Sequence, residues 1–407
     1  MINSQRNNIF VFTIVAFSWI FYPILSIPIM LYIAMNSKTT LPARGKYFLL
    51  FMIALSLGLI AYTSGSGGAY DSDLVRYRDS YEEAVGENIG YIEPVYFFFN
   101  IINWFLANYL SSNGQFLTLF WSTMALSFTL FSSYKIISYY FKNEGNIHLI
   151  LMLLCIITIP FIITTELIKQ TIAFSVFMYA LSKKITNEKH ANVFFVIALL
   201  LHPQSILLIF ITYFYKTKFI RKFANIILFV AVALSFVNVL DLLAPIADMP
   251  IFESLGISEK MNQYRDWEEF GGGRRYYILF AVIVLQVIVF VMQCKKNPEI
   301  STDLPILGIL TICSLLFSMA NQHNFARLIF TLFPFQIIFS LLNIRTLHIN
   351  RNRNVVILFL MTFYILSTSI FTYKQLNSDE SRQTYMENKW GDILTTSVIQ
   401  YVNYEVK

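Results

Sequence analysis

Apolar stretches long enough to cross a bilayer recur from one end of this 407-residue chain to the other, with only short polar connections between them. A membrane-spanning helix needs about 20 apolar residues, and inside lipid every backbone polar group must find a partner within the protein. The fold class these stretches dictate is an all-α integral membrane protein, a polytopic bundle of about ten transmembrane helices. Charged residues make up 13% of the chain, against about 25% in soluble domains, so water is not its main solvent. No polar stretch is long enough for a separate soluble domain. Residues 1–373 read as one membrane domain with two larger extracytoplasmic loops, followed by an extracytoplasmic tail, 374–407. The first run, Ile9 to Met35, exceeds the apolar part of a secretory signal and is expected to remain as a helix. Cys155, Cys294 and Cys313 are scattered through or at the ends of apolar segments, which fits packing and neither a disulfide framework nor a zinc site.

The net charge of +6 is distributed by loop. Lys and Arg concentrate in loops that stay cytoplasmic, which assigns six connections to the inside: Lys38/Arg44/Lys46, Lys135/Lys142, Lys183/Lys184/Lys189, Lys216/Lys218/Arg221/Lys222, Lys295/Lys296 and Arg345/Arg351/Arg353. Residues 64–93 carry Asp71, Asp73, Asp79, Glu82, Glu83, Glu87 and Glu93 against Arg76 and Arg78, and 245–275 is also net acidic; both belong outside. Most of the positive excess is therefore topological, and no nucleic-acid partner is expected.

Each crossing must change sides, which constrains two ambiguous runs. Pro94 to Leu110 lies between an outside loop and a helix descending from outside, so it is expected to be interfacial or re-entrant, a role that Asn100, Asn103 and Asn108 fit. Asn192 to Tyr215 has basic loops at both ends. It is expected to form a re-entrant hairpin broken at His202-Pro203-Gln204-Ser205, where Pro203 interrupts helical bonding. One Pro-kinked span is the competing reading. The spans then lie at about 9–35, 47–63, 115–134, 147–163, 167–182, 223–244, 276–293, 303–320, 324–343 and 354–372, with both termini outside. In the tail, Trp390, Leu394, Val398 and Tyr401 form an apolar stripe at helical spacing that suits the outer interface.

Ionisable groups within spans are costly and default to functional candidates. Glu166, Lys169 and Gln170 follow a short outside turn and share one helical face by spacing, either as a local Glu-Lys pair or as a site. His202 adjoins the expected break together with Gln204 and Ser205. His323 and Arg327 lie four apart at the outer end of the ninth span. An arginine there needs an anion: a carboxylate such as Glu166, Glu93 or Asp73, or a phosphate, which suits the guanidinium fork. The outer loops add Asp73, Arg76, Tyr77 and Arg78, then Arg265, Trp267, Glu268, Gly271 to Gly273, Arg274 and Arg275. Solvated mixed-charge loops are the plain reading, although aromatic and carboxylate residues together suit sugar binding, and the glycines offer a hinge. There is no nucleotide fingerprint, HExxH or GxSxG; Asp71-Ser72-Asp73 is a lone weak match on the outer side. No metal, no cofactor and no ATP are expected.

These pieces occur in an order that resembles the EpsG-like branch of the Wzy polymerases, across roughly residues 60–335. Gly67 to Tyr77 resembles that family's Gly/Asp/Tyr stretch, and Glu93-Pro94 opens an apolar helix. Lys169-Gln170-Thr171-Ile172-Ala173 resembles its Arg-Gln-x-x-Ala element, Leu201 to Ser205 its His-x-x-Ser/Ala element, and Ala326-Arg327 its late intramembrane arginine. Lys169 departs from the pattern, keeping the charge but not the fork that grips a phosphate bidentately.

The resemblance implies a bacterial inner-membrane glycosyltransferase, its active site facing the extracytoplasmic side. Its donor and acceptor would both be undecaprenyl-diphosphate-linked oligosaccharides, polymerised into O-antigen, capsule or exopolysaccharide. Membrane lipid surrounds such an enzyme, and a chain-length regulator protein is a conceivable further partner. On this reading Arg327 and Lys169 hold the donor diphosphate, and His202 is the general base with Glu166 as the alternative. Asp73, Arg76, Tyr77, Glu93 and Arg275 orient the repeat unit, with Gln170, Gln204, His323 and Arg265 as further contacts. The rivals are an O-antigen ligase, which uses the same donor, and a transporter of lipid-linked sugars, for which a Pro-broken segment is also typical.

Overall fold

A computed structural model describes residues 2–36, 41–65, 73–87, 96–141, 145–157, 159, 161–215, 217–237, 241, 245, 273–294, 304–321, 325, 328–329, 337–344, 384–386 and 389–406. The chain divides into two compact units. The first comprises 1–92, 98–201 and 369–407; the second comprises 93–97 and 202–368.

The first unit is built around α3 (Ala43–Tyr62) and α6 (Gly114–Tyr140), which among the described residues are the helices long and apolar enough to cross a membrane. At 1.5 Å per residue they extend about 30 and 40 Å. They run antiparallel. Tyr47 near the start of α3 meets the rings of Phe131 and Tyr134 at 5.1 and 5.5 Å, while Gln115 at the start of α6 donates to the Tyr62 carbonyl at the end of α3, 3.0 Å away. Gly58 lets the two backbones approach: a Cβ there would stand 2.1 Å from Thr123 Oγ1. Small residues at such a crossing are what lipid-embedded helix pairs use to gain contact.

α9 (Ile168–Ile185) runs parallel to α6. Thr129 Oγ1 donates to Ser175 Oγ at 3.1 Å midway along, and Lys135 pairs with Glu188 beyond the end of α9. α7 (Gly145–Ile157), packed on α6 and on α2 (Ile27–Met35), and the short α8 (Phe161–Glu166) supply the return connection. α10 (Ala191–Leu201) then packs on α9 through Phe177 and Phe195. The basic residues Lys135, Lys183 and Lys184 thus gather at one end of this bundle. The acidic loop, which forms α4 (Asp73–Glu83), packs on the start of α6 at the other end.

The C-terminal residues belong to this unit. Strand β1 (Ser64–Gly65) pairs antiparallel with β2 (Thr384–Tyr385). Two short helices, Trp390–Thr395 and Val398–Val402, bury Ile393 and Tyr401 against Leu59 and Ile60 of α3. Tyr62 donates to the Val402 carbonyl at 3.0 Å, and the Gln115 amide donates to the Tyr404 carbonyl at 3.0 Å. Burial pushes the Tyr401 hydroxyl, which donates to the Ile393 carbonyl, well up from the usual tyrosine range.

In the second unit, α14 (Leu304–Ser318) packs against α11 (Ser205–Phe214), α12 (Lys218–Leu234) and α13 (Gly273–Cys294). Gly308 lies so close to Val287 that a Cβ would stand 2.7 Å away. Residues 337–344 are helical, and Asn343 donates to the Gln286 carbonyl at 3.1 Å.

The structure corrects several expectations. The run 9–35 is two helices, α1 (Ile2–Phe21) and α2, because Pro23 and Pro28 cannot donate backbone bonds; Ser26 Oγ instead donates to the Pro23 carbonyl at 2.7 Å. Residues 64–93 are not wholly loop, since α4 lies within them. α5 (Phe97–Tyr109) extends about 20 Å, too short to cross. Two of its asparagines make contacts within the unit. Asn103 is buried and accepts from Trp121 Nε1 at 2.7 Å, and Asn108 bonds the Ala84 carbonyl and the Gly86 N–H. The break at 202–204 falls where Pro203 predicts it, between α10 and α11. The expected span 354–372 lies outside the described residues, as does all but 325, 328–329 and 337–343 of the span at 324–343.

Candidate functional site

α4 is positioned by bonds a solvated loop would lack. Leu74 and Tyr81 are buried on the face it turns to α6. Arg78 donates from Nε to Thr118 Oγ1 at 3.0 Å and from its two terminal nitrogens to the Ser64 carbonyl and Oγ at 2.7 and 3.1 Å. Tyr81 donates to the Ser111 carbonyl at 2.6 Å, and burial pushes its hydroxyl up to about 12. Glu82 accepts the Gly114 N–H at 2.9 Å. Arg78 is therefore a structural anchor, whereas Arg76 pairs with Asp73 in the first turn and is half-exposed.

This scaffold brings Tyr77 to Lys169. The Lys169 ammonium lies 4.8 Å from the centre of the Tyr77 ring and 5.3 Å from that of Phe99 on α5. The two rings are 6.3 Å apart and tilted by 58°. Phe99, fully buried, stacks on Trp121 of α6 at 4.8 Å, and Trp121 is fixed in turn by Asn103. Lys169 is half-buried in the first turn of α9, whose preceding residue, Leu167, gives no side-chain cap. The start of a helix carries partial positive charge, so dipole and ammonium add to a local positive potential suited to an oxyanion.

Glu166 and Lys169 do not share one continuous helix, contrary to their spacing. Glu166 ends α8, and Leu167 (φ −99°, ψ 50°) separates it from α9. Gln170 is buried within α9.

In the second unit, Pro203 leaves the backbone after Leu201 to a tight turn in which the Ser205 N–H donates to the His202 carbonyl at 3.0 Å. His202 is buried, its ring 5.5 Å from that of Tyr96, and its Nδ1 accepts the Gln204 N–H at 3.3 Å. In the neutral ring this leaves the proton on Nε2, which then presents a donor. Gln204 occupies the N-cap position of α11, exposed and without a side-chain capping bond. Arg275 lies within α13. Arg327, His323, Glu93 and Arg265 lie outside the described residues. No group of three or more His, Cys, Asp or Glu among the described residues is arranged to hold a metal ion.

Residues 46–385 match the profile of the EpsG family. The chain belongs to the EpsG family. No curated protein and no solved structure gives a significant match. The EpsG match spans α3 to β2 and so takes in the four helices around Lys169 as well as the His202 break. Together with the apolar helices it makes this EpsG protein a membrane protein of the polysaccharide-polymerase type. Phe99, Trp121 and Asn103, which complete the surroundings of Lys169, carry no motif. They stand in an aromatic-rich run and a long apolar helix, where only tertiary packing distinguishes them.

Proposed function

We propose that this EpsG-family protein polymerises undecaprenyl-diphosphate-linked oligosaccharide repeat units into O-antigen, capsule or exopolysaccharide, by glycosyl transfer on the outer face of the bacterial inner membrane. The observation that carries the reading is Lys169: an ammonium at a helix start, held by aromatic rings, inside the family match. A lipid diphosphate calls for such a cation beside an apolar wall. The ten-crossing topology with both termini outside belongs to the same proposal.

In the reaction, a hydroxyl of the acceptor repeat attacks the anomeric carbon of the donor glycan. The bond from that carbon to the diphosphate oxygen breaks, and undecaprenyl diphosphate leaves with the electron pair. Lys169 and Arg327 stabilise the negative charge gathering on it. His202 takes the hydroxyl proton on Nδ1 once the Gln204 N–H releases that nitrogen; Glu166 is the alternative base. Asp73, Arg76, Tyr77, Glu93, Arg265 and, at the start of α13, Arg275 orient the repeat.

The test is the purified chain in liposomes, supplied on the outer face with lipid-linked repeat units extracted from cells lacking this protein. Elongation is expected; movement of the repeats across the bilayer without elongation would make the protein a transporter. Deleting the gene separates a ligase, because a polymerase null leaves single repeats on the surface and a ligase null leaves none. In the same vesicles Arg327→Ala is expected to insert and leave the repeats unextended, and normal long chains would remove Arg327 from the mechanism.

A further inference from the structure

The start of α11 carries a hydroxyl that the resting protein leaves unsatisfied. The N–H groups of Ser205, Ile206 and Leu207 donate to the carbonyls of His202, Pro203 and Gln204, each three residues back. A turn of that pitch eclipses the side chains at i and i+3. His202 and Ser205 therefore lie on one face, and both are buried, as is Leu208, while Pro203, Gln204, Ile206 and Leu207 are exposed. Ser205 Oγ is closed to solvent and has no hydrogen-bond partner. Thr212, Thr311 and Ser314, buried in the same unit, each donate to the carbonyl four residues back. A buried hydroxyl without a partner is an exception that calls for a reason.

The reason lies in the protonation of His202. In the neutral ring Nδ1 accepts the Gln204 N–H at 3.3 Å. Once Nδ1 takes a proton it becomes a donor, so the Gln204 N–H can no longer bond it and an acceptor is needed. Ser205 Oγ offers one on the same face. Among the described residues, the other titratable groups on the elements packed against this turn are the Tyr96 phenol, its ring 5.5 Å from that of His202, and Cys313 of α14, a helix without charged residues. We infer that Ser205 is a positioning residue whose Oγ accepts the Nδ1–H that His202 gains from the acceptor hydroxyl. The inference rests on the reading of His202 as the base.

Ser205→Ala removes an unsatisfied group, so the full chain should melt no lower than the native one. In liposomes supplied with extracted lipid-linked repeats, its kcat should fall about tenfold with KM unchanged, because the bond is made only as the proton moves. Ser205→Cys, close in size but a weak acceptor, should follow alanine. A readout that does not need elongation is the 15N histidine spectrum of the full chain in nanodiscs at one acidic pH, with the His202 signal identified by its loss in His202→Ala. Ser205→Ala should lower the fraction of His202 protonated on Nδ1 severalfold. An unchanged His202 signal, or full kcat in both variants, overturns the role of Ser205 and leaves the polymerase standing. A lower melt with kcat and KM impaired together overturns it as well, making Ser205 a packing residue. A lowered His202 fraction in a chain that never elongates keeps Ser205 as the partner of His202 and removes the polymerase.

Discussion

The two ends of α9 both carry lysines and treat them differently. At the C-terminal end, Lys183 and Lys184 sit where the helix dipole favours cations. Lys183 shares Glu188 with Lys135, and the ammonium groups also lie against Tyr179, Phe194 and Phe195. About 21 Å away along the same helix, Lys169 sits where the dipole opposes it, against rings brought from α4 and α5. The first arrangement is accounted for by local electrostatics and a loop that needs tying down. In the second the helix dipole does not favour the cation, and the rings beside it come from distant parts of the chain, which is where functional sites are expected to depart from folding rules.

Exchanging each lysine breaks or sharpens this contrast most directly. Lys169→Ala should lower chain extension by about a hundredfold or more, while Lys183→Ala should leave long-chain polymer on glycan gels; equal losses would erase the distinction. A smaller effect is expected from Arg78→Ala, which releases α4 from Ser64 and Thr118. It should cost about 1–3 kcal/mol locally, seen as faster amide exchange over residues 73–83 with unchanged exchange at 183–190.

The smallest effect concerns Glu188. Burial alone would raise its carboxyl, but the hydrogen bonds and charges of Lys135 and Lys183 outweigh that and hold it below the usual carboxylate range. Its contribution is therefore complete above the unfolded carboxylate's pKa and disappears as pH falls through the lowered folded value. With the side chain 38% exposed, the contribution is at most about 0.5 kcal/mol. Glu188→Gln should flatten that acid limb in thermal melts and leave elongation unchanged.

The elements legible in the sequence are those whose stability comes from apolar length alone: α3, α6, α9, α13 and α14 all fall on expected runs. The break at Pro203 was legible because proline lacks a donor, and Pro23 and Pro28 held the same information about the first run. α4 was harder. Leu74, Tyr77 and Tyr81 have helical spacing, but the charges between them read as a solvated loop. At the site, Lys169 and Tyr77 could be singled out one at a time as a costly intramembrane charge and a loop aromatic. Their contact could not, because it depends on how α4 and α5 lie on α6, and no periodicity encodes that. The gap at Leu167, with no Gly or Pro to mark it, was equally silent.

One consequence follows from the strand pairing of Ser64 and Gly65 with residues 384–385 and from the bond between Tyr62 and Val402, partners 340 positions apart. A ribosome delivers α3 and α6 to the membrane early, with the Ser64 backbone and the Gln115 amide awaiting partners that are translated much later. Ser64 is also the foothold of Arg78. The support beneath α4 is thus completed only after residues 384–385 have been made, so a chain terminated before them would insert its earlier helices while the Ser64 foothold of α4 lacked its strand partner.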